Sequence, residues 1–337
     1  MRRPIPPVIV STSDLARLAY GRFAVGAFSA NTLEQVLGAF RGAAAAEAPL
    51  IVQVSHTARQ YAGPNVLEAT VHAAARLHSG TVFALHLDHG DEESCLECIA
   101  SGLYTSVMID ASDAPLAENA AITRRVAERA HDRGISVEAE IGRLSGKEDD
   151  IAVGESLAFL TDPDQACEFV QRSGCDALAV AVGTSHGVQK FKGTHQLHLD
   201  RLARIRERLP GFPLVLHGAS SVPPQEVQRI NAAGGAIAPD AHGVPEEQYL
   251  QVAQRGVTKI NIDTDSRLIW TRVYREYLRD HPSNLDVRGP GRVFMAEYAN
   301  QVARLCRCFG CAGRQAEFNQ DLAVGAIGPR RSTHSPA

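Results

Sequence analysis

The chain has 337 residues, 45% of them apolar, enough for the core of one large barrel or two ordinary domains. With 34 basic and 38 acidic side chains its formal charge is -4, so no net basic field points to nucleic acid. No apolar run reaches the roughly 18 residues that span a bilayer, and the proline-rich start is unlike a signal peptide, so a cytoplasmic protein with no membrane partner is expected.

In chain order, short β-branched or apolar runs predict strands at 23–28, 50–54, 82–87, 104–109, 136–140, 177–182, 213–216 and 258–262. Helical patterns lie between them, among them 33–46, 66–78, 92–101, 120–133 and 162–173. Strands that read as continuous apolar runs argue for a parallel sheet covered on both faces. Eight strand–helix units make the inventory of an α/β protein of the (β/α)8 TIM-barrel type. The competitor is a doubly wound sheet, but no Gly-x-Gly-x-x-Gly follows the first strand. Residues 1–310 are predicted to form a single barrel domain with C-terminal helices, and 311–337 a tail that is ordered only in part.

The residues just beyond the predicted strands carry the chemistry. They are Ser55, Asp88 with His89, Asp110, Glu140, His186, His217, and Asn261 with Asp263. A barrel brings all of them to one face, whereas an open sheet would scatter several. One strand-end histidine is ordinarily a hydrogen-bonding residue. Three of them beside carboxylates favour a divalent metal held by His89, His186 and His217, with a fourth position open. Asp110 and Glu140 would hold a second metal position or orient the histidines. His86 reads as buried structure, and His56, His195, His198 and His242 as surface residues.

Residues 142–150, rich in glycine and charge, read as a mobile loop over the site. The turns Gly183–Gly187, His217–Ser221 and Asn261–Ser266 are small and rich in hydroxyls, which suits backbone N–H groups approaching an anion. The last two fall after strands seven and eight, where barrels recurrently bind phosphate. Seven cysteines fit reduced thiols; Cys95 with Cys98, and Cys306, Cys308 and Cys311, lack the local partners of a zinc site.

Five motifs in this order resemble the class II, metal-dependent fructose-bisphosphate aldolases. They are His86-Leu87-Asp88-His89-Gly90, Glu138-Ala139-Glu140-Ile141-Gly142, Val182-Gly183-Thr184-Ser185-His186-Gly187, Leu216-His217-Gly218-Ala219-Ser220 and Lys259-Ile260-Asn261-Ile262-Asp263-Thr264-Asp265. The resemblance implies reversible cleavage of a ketose 1,6-bisphosphate, foremost fructose 1,6-bisphosphate, in glycolysis, gluconeogenesis or the Calvin cycle. It implies that His89, His186 and His217 bind zinc, and that Asp110 and Glu140 bind a second divalent metal or zinc in a displaced state. It also leaves room for a monovalent cation. Asp88 would exchange the C4 hydroxyl proton and Glu148 the C3 proton of dihydroxyacetone phosphate. Gly187, Gly218, Ala219, Ser220, Asn261, Asp263 and Thr264 would hold that half of the substrate, Ser55 the aldehyde half and Arg288 the distal phosphate. Family members are homodimers or homotetramers, and the partner would be a small phosphosugar.

The residue types suit such chemistry in their own right. Cleaving a bond beta to a carbonyl leaves an enediolate, whose charge a Lewis acid stabilises while a carboxylate takes the hydroxyl proton. A Schiff-base lysine is the mechanistic rival, with Lys259 on strand eight the candidate, but it would leave the three histidines without a purpose. From another class, a metal-dependent barrel hydrolase would need neither the phosphate loops nor Glu148. Ser29, His56, Gln189 and Ser221 depart from the family's common residues and leave the sugar open, with tagatose bisphosphate the leading alternative.

Overall fold

The computed structural model describes residues 7–148, 151–153, 159–187 and 197–323. Eight parallel strands close into a barrel with helices between them. They are β1 (Val25–Ser29), β2 (Leu50–Ser55), β3 (Val82–Gly90), β4 (Ser106–Ile109), β5 (Ser136–Ile141), β6 (Ala177–Val180), β7 (Leu214–Leu216) and β8 (Val257–Ile262). Each pairs in parallel with its sequence neighbours, and β8 returns to β1 through Lys259↔Val25 to Ile262↔Phe28. The predicted (β/α)8 TIM barrel is the observed fold. Because every strand runs the same way, all C-terminal ends meet on one face.

Beyond shifts of one to three residues at their ends, the strands differ from the sequence expectation in pattern. The upper part of β3, β5 and β8 alternate instead of running continuously apolar. In β5, Val137, Ala139 and Ile141 join the apolar core, while Glu138 and Glu140 between them are buried outside it. The same alternation sets Lys259 and Asn261 between Ile260 and Ile262. Side chains of a strand point to opposite faces in turn, so the apolar set meets the surrounding helices and the polar set fills the barrel.

Beneath the barrel's centre the helix Thr12–Ala19, started by a Ser11/Asp14 capping box, brings Thr12 inward. Thr12 Oγ1 lies 2.8 Å from both Ser106 Oγ on β4 and Ser136 Oγ on β5. Above the barrel, the segment predicted as a loop pairs instead: Ser145–Glu148 lies antiparallel to Ile151–Val153 and parallel to Ser185–His186. Backbone pairing outside the barrel needs no apolar periodicity, which is why the pattern did not reveal it. In the predicted tail, Gln315–Ala323 is helical and Phe318 packs edge-on against Phe23 at 6.3 Å. Residues 324–337 lie outside the described residues. No helix among the described residues is long and apolar enough to cross a membrane.

Candidate active site

β3 ends irregularly, and that irregularity makes the site. Its pairing with β4 shifts between Leu87 and Gly90, and His89 adopts a left-handed backbone, φ 47°. A non-glycine residue in that region costs roughly 1–3 kcal/mol and persists only where its surroundings impose it. The bulge turns two consecutive residues, Asp88 and His89, toward the barrel mouth instead of one.

His89 stands at the centre of a cluster. Its Nδ1 is 2.7 Å from Asp110 Oδ2 beyond β4, and its Nε2 is 3.0 Å from His217 Nδ1 beyond β7. The His89 and His217 rings are 4.7 Å apart, and His186 lies 5.5 Å from His89 and 6.3 Å from His217. Donor atoms of Asp88, His89 and His217 lie within 4.8 Å of one another, as do those of His89, Asp110 and Glu140. The structure therefore brings the three predicted histidines and three predicted carboxylates to one place.

The charges there are strongly coupled. Burial works against an imidazolium at His89, but the hydrogen bond to Asp110 and the charges of Asp88, Asp110 and Glu140 outweigh it, raising the pKa to about 10. Burial would also raise Asp110, yet its bond to His89 and that cation hold it below the usual carboxylate range. Glu140 is pushed up to about 8, first by burial and then by the Asp110 charge. Its Oε2 is buried with no hydrogen-bond partner among the described residues. An orphaned carboxylate oxygen facing imidazole and carboxylate donors is a set that a divalent cation fits.

Asp88 is held from two sides. Gln53 Nε2 donates to Oδ2 at 2.8 Å and Asn261 Nδ2 to Oδ1 at 3.0 Å. Both bonds hold the carboxylate as an acceptor. Gln53 was missed in the sequence; an amide inside the apolar run Leu50–Val54 was the available signal. Below the mouth, Lys259 Nζ sits 3.0 Å from Glu138 Oε2 and 3.1 Å from Oε1, with 3% exposure. A buried ammonium locked onto a carboxylate is poorly suited to Schiff-base formation.

The loops after β7 and β8 are tied together. Asp265 accepts from Ser221 N at 3.0 Å, Ser221 Oγ at 3.0 Å and Val222 N at 2.8 Å. Gln35 Nε2 reaches Ser266 Oγ at 2.9 Å. Buried Arg272 binds Glu226 at 2.5 Å, Glu276 at 3.0 Å and Glu297, joining the helices behind both loops. Gly218, at φ 62°, lets the β7 loop approach the Ser185 carbonyl; a Cβ there would meet that oxygen at 2.6 Å. Ala219, Ser220, Asn261, Asp263 and Thr264 are all buried around this junction, and Gly187 follows His186 in the adjoining turn.

The outer predicted residues fare differently. Ser55 pairs in register with Asp88, and its hydroxyl accepts from Ala58 N at 3.2 Å to start a short helix. His56, expected on the surface, is half-buried, with its Nδ1 2.6 Å from Ser94 Oγ. Arg288 is exposed at the start of the helix Arg288–Cys308, where it pairs with Asp286 at 2.7 Å. Those contacts do not carry it into the cluster. Glu148 ends a paired strand, and its side chain lies outside the described residues, as do Gln189 and His195.

Comparison with known proteins bears on the family. The family profile of class II fructose-bisphosphate aldolase matches residues 10–314. The chain is 42% identical over 312 residues to a fructose-bisphosphate aldolase of Thermus caldophilus, covering 91% of this chain and 100% of that one. It is 40% identical over 302 residues to the fructose-bisphosphate aldolase of Giardia intestinalis, covering 88% and 91% of the two chains. Among solved structures it resembles the YdjI aldolase of Escherichia coli K12, with a TM-score of 0.73 at 24% identity over 91% of this chain and 99% of that one. That likeness shows the barrel fold alone. By the span and identity of these matches, the chain belongs to the class II fructose-bisphosphate aldolase family.

Proposed function

We propose that this protein catalyses the zinc-dependent, reversible aldol cleavage of fructose 1,6-bisphosphate to dihydroxyacetone phosphate and glyceraldehyde 3-phosphate. The observation that carries the reading is a pair of potential ligand groups that share His89 at the barrel mouth, Asp88–His89–His217 and His89–Asp110–Glu140, each with its donor atoms within 4.8 Å of one another. His89, His186 and His217 would hold the zinc, with Asp110 and Glu140 as ligands of a second or displaced position. When bound, the cation supplies Lewis acidity that stabilises the negative charge developing on the ketone side of the cleaved bond.

The chain's own residues do the rest. Asp88, held as an acceptor by Gln53 and Asn261, takes the C4 hydroxyl proton in cleavage and returns it in condensation. Glu148 handles the C3 proton of the three-carbon ketose. Backbone N–H groups and hydroxyls of the turns at Gly187, Gly218–Ser220 and Asp263–Thr264 bind the phosphate of that half, as small residues at a helix start allow. Ser55 meets the aldehyde half and Arg288 the distal phosphate. The working form is a homodimer or homotetramer, as in the family.

The test is triose phosphate release from fructose 1,6-bisphosphate and tagatose 1,6-bisphosphate, with and without chelator. Cleavage of the fructose ester that disappears on metal removal and returns with zinc is the expected result. Activity that survives complete metal removal overturns the zinc mechanism. Preference for the tagatose ester would move the substrate to a neighbouring sugar and leave the chemistry standing.

A further inference from the structure

A second ionisable group lies one layer below the site and takes no part in the proton transfers just described. Glu138, Lys259, His86 and His217 are each at most 3% exposed. Glu138 Oε1 lies 2.7 Å from His217 Nε2, and both its oxygens accept from Lys259 Nζ. His86 Nε2 is 3.6 Å from Glu138 Oε2, while His86 Nδ1 lies 2.8 Å from Ser106 Oγ, which in turn meets Thr12. Burying an ammonium and a carboxylate costs several kcal/mol per ion before their attraction repays it, so a pair in a barrel interior calls for a reason.

The direction of the bonds supplies one. A carboxylate facing an ammonium has no hydrogen to give, so the 2.7 Å bond requires the proton on His217 Nε2. That leaves a lone pair on His217 Nδ1, the atom facing His89 Nε2 at 3.0 Å and Asn261 Nδ2 at 3.2 Å. A bare ring nitrogen aimed into the cluster is what a metal needs, and a second bond on the far nitrogen fixes the ring's orientation.

We infer that Glu138, with its charge compensated by Lys259, is the positioning residue that fixes the His217 tautomer and points His217 Nδ1 at the metal. The inference rests on the zinc reading above and deepens it. Lys259 has a defined task in it: without the ammonium, the buried Glu138 carboxylate would lose the partner that keeps it an acceptor. Glu138 touches no substrate; it acts through His217.

Two measurements test this. Zinc affinity of the metal-free protein is read by competition with a chromophoric chelator in wild type, E138L/K259M and E138Q/K259M, with folding checked by thermal melting. The leucine–methionine variant removes both charges together, a replacement that is often neutral or stabilising for a buried pair. It is expected to weaken zinc binding about ten- to a hundredfold, the usual effect of losing a partner behind a ligand. The glutamine variant keeps an oxygen that can accept the His217 Nε2–H and is expected to recover most of that loss. Equal zinc affinity in the two variants, whether both tight or both weak, overturns the positioning role.

Separately, the ring nitrogens of His217 are observed by two-bond proton–nitrogen correlation in nitrogen-15-labelled wild type. Before zinc is added, a protonated Nε2 and a bare Nδ1 are expected, with the Nδ1 resonance moving on zinc addition. A proton on Nδ1 overturns the inference even if the double variants fail to fold. A wild-type protein that binds no zinc at all sinks the metal reading itself, whereas tight wild-type binding with an indifferent Glu138 sinks only the positioning role.

Discussion

Glu138 and Glu140 stand two residues apart on β5 and point into the same barrel, yet their surroundings are opposite. Glu138, in the middle layer, has a cation on both oxygens and an imidazole N–H besides. Glu140, at the mouth, has an orphaned Oε2 and a pKa pushed up to about 8 by burial and by Asp110. Nearly equal burial therefore does not set a carboxylate's character; its partners do. In the middle layer both Glu138 oxygens are bonded. The mouth is frustrated, as a site awaiting a ligand should be.

Substitutions can break that contrast. The largest effect is expected at the mouth on rate: Asp88→Ala should lower kcat by roughly 10²–10⁴-fold while zinc stays bound. Wild-type turnover in that variant would remove Asp88 from the proton path. In the middle layer, Glu138→Leu alone leaves Lys259 buried without its carboxylate and should cost about 3–5 kcal/mol in denaturant unfolding. The E138L/K259M pair should regain most of that stability; failure to do so would mean the charges are not what the single change disturbed.

Next in size comes Gly218→Ala. Its Cβ would meet the Ser185 carbonyl at 2.6 Å in a left-handed turn, so about 1–3 kcal/mol of strain is expected. The accompanying readout is a raised KM for the bisphosphate; an unchanged KM would separate this turn from phosphate binding. Smallest of all is Glu140→Gln. Replacing a buried carboxyl that has an unsatisfied oxygen with an uncharged amide of similar shape should shift the stability of metal-free protein by less than about 1 kcal/mol or raise it. Thermal melts with and without zinc check this, and a large loss in the metal-free state would show that Glu140 is structural.

Much of this arrangement was legible in the chain. Strand order and strand-end residues followed from runs such as Val82–Leu87 breaking into Asp88-His89, because a polar pair after an apolar run has few other uses in a parallel barrel. What could not be read was anything requiring two distant strands at once. Gln53 is an isolated amide until β2 lies beside β3 and brings it to Asp88. Glu138 and Lys259, 121 positions apart, show no pairing signal in sequence. His86 reads in the sequence as buried structure, and the packing adds its bond to Ser106 and its approach to Glu138. Asp265, quoted within a motif, turned out to clamp the preceding loop through three bonds.

The alternation along β5 and β8 has one more consequence. The apolar contacts with the surrounding helices lie on the outer wall, while the inner wall divides into a bonded middle layer and a polar mouth. For protein engineering the mouth, and not the layer beneath it, is the part of the inner face that can be varied apart from the shell. A library that varies only inward positions around the mouth samples new reactions on a scaffold whose folding is secured from outside.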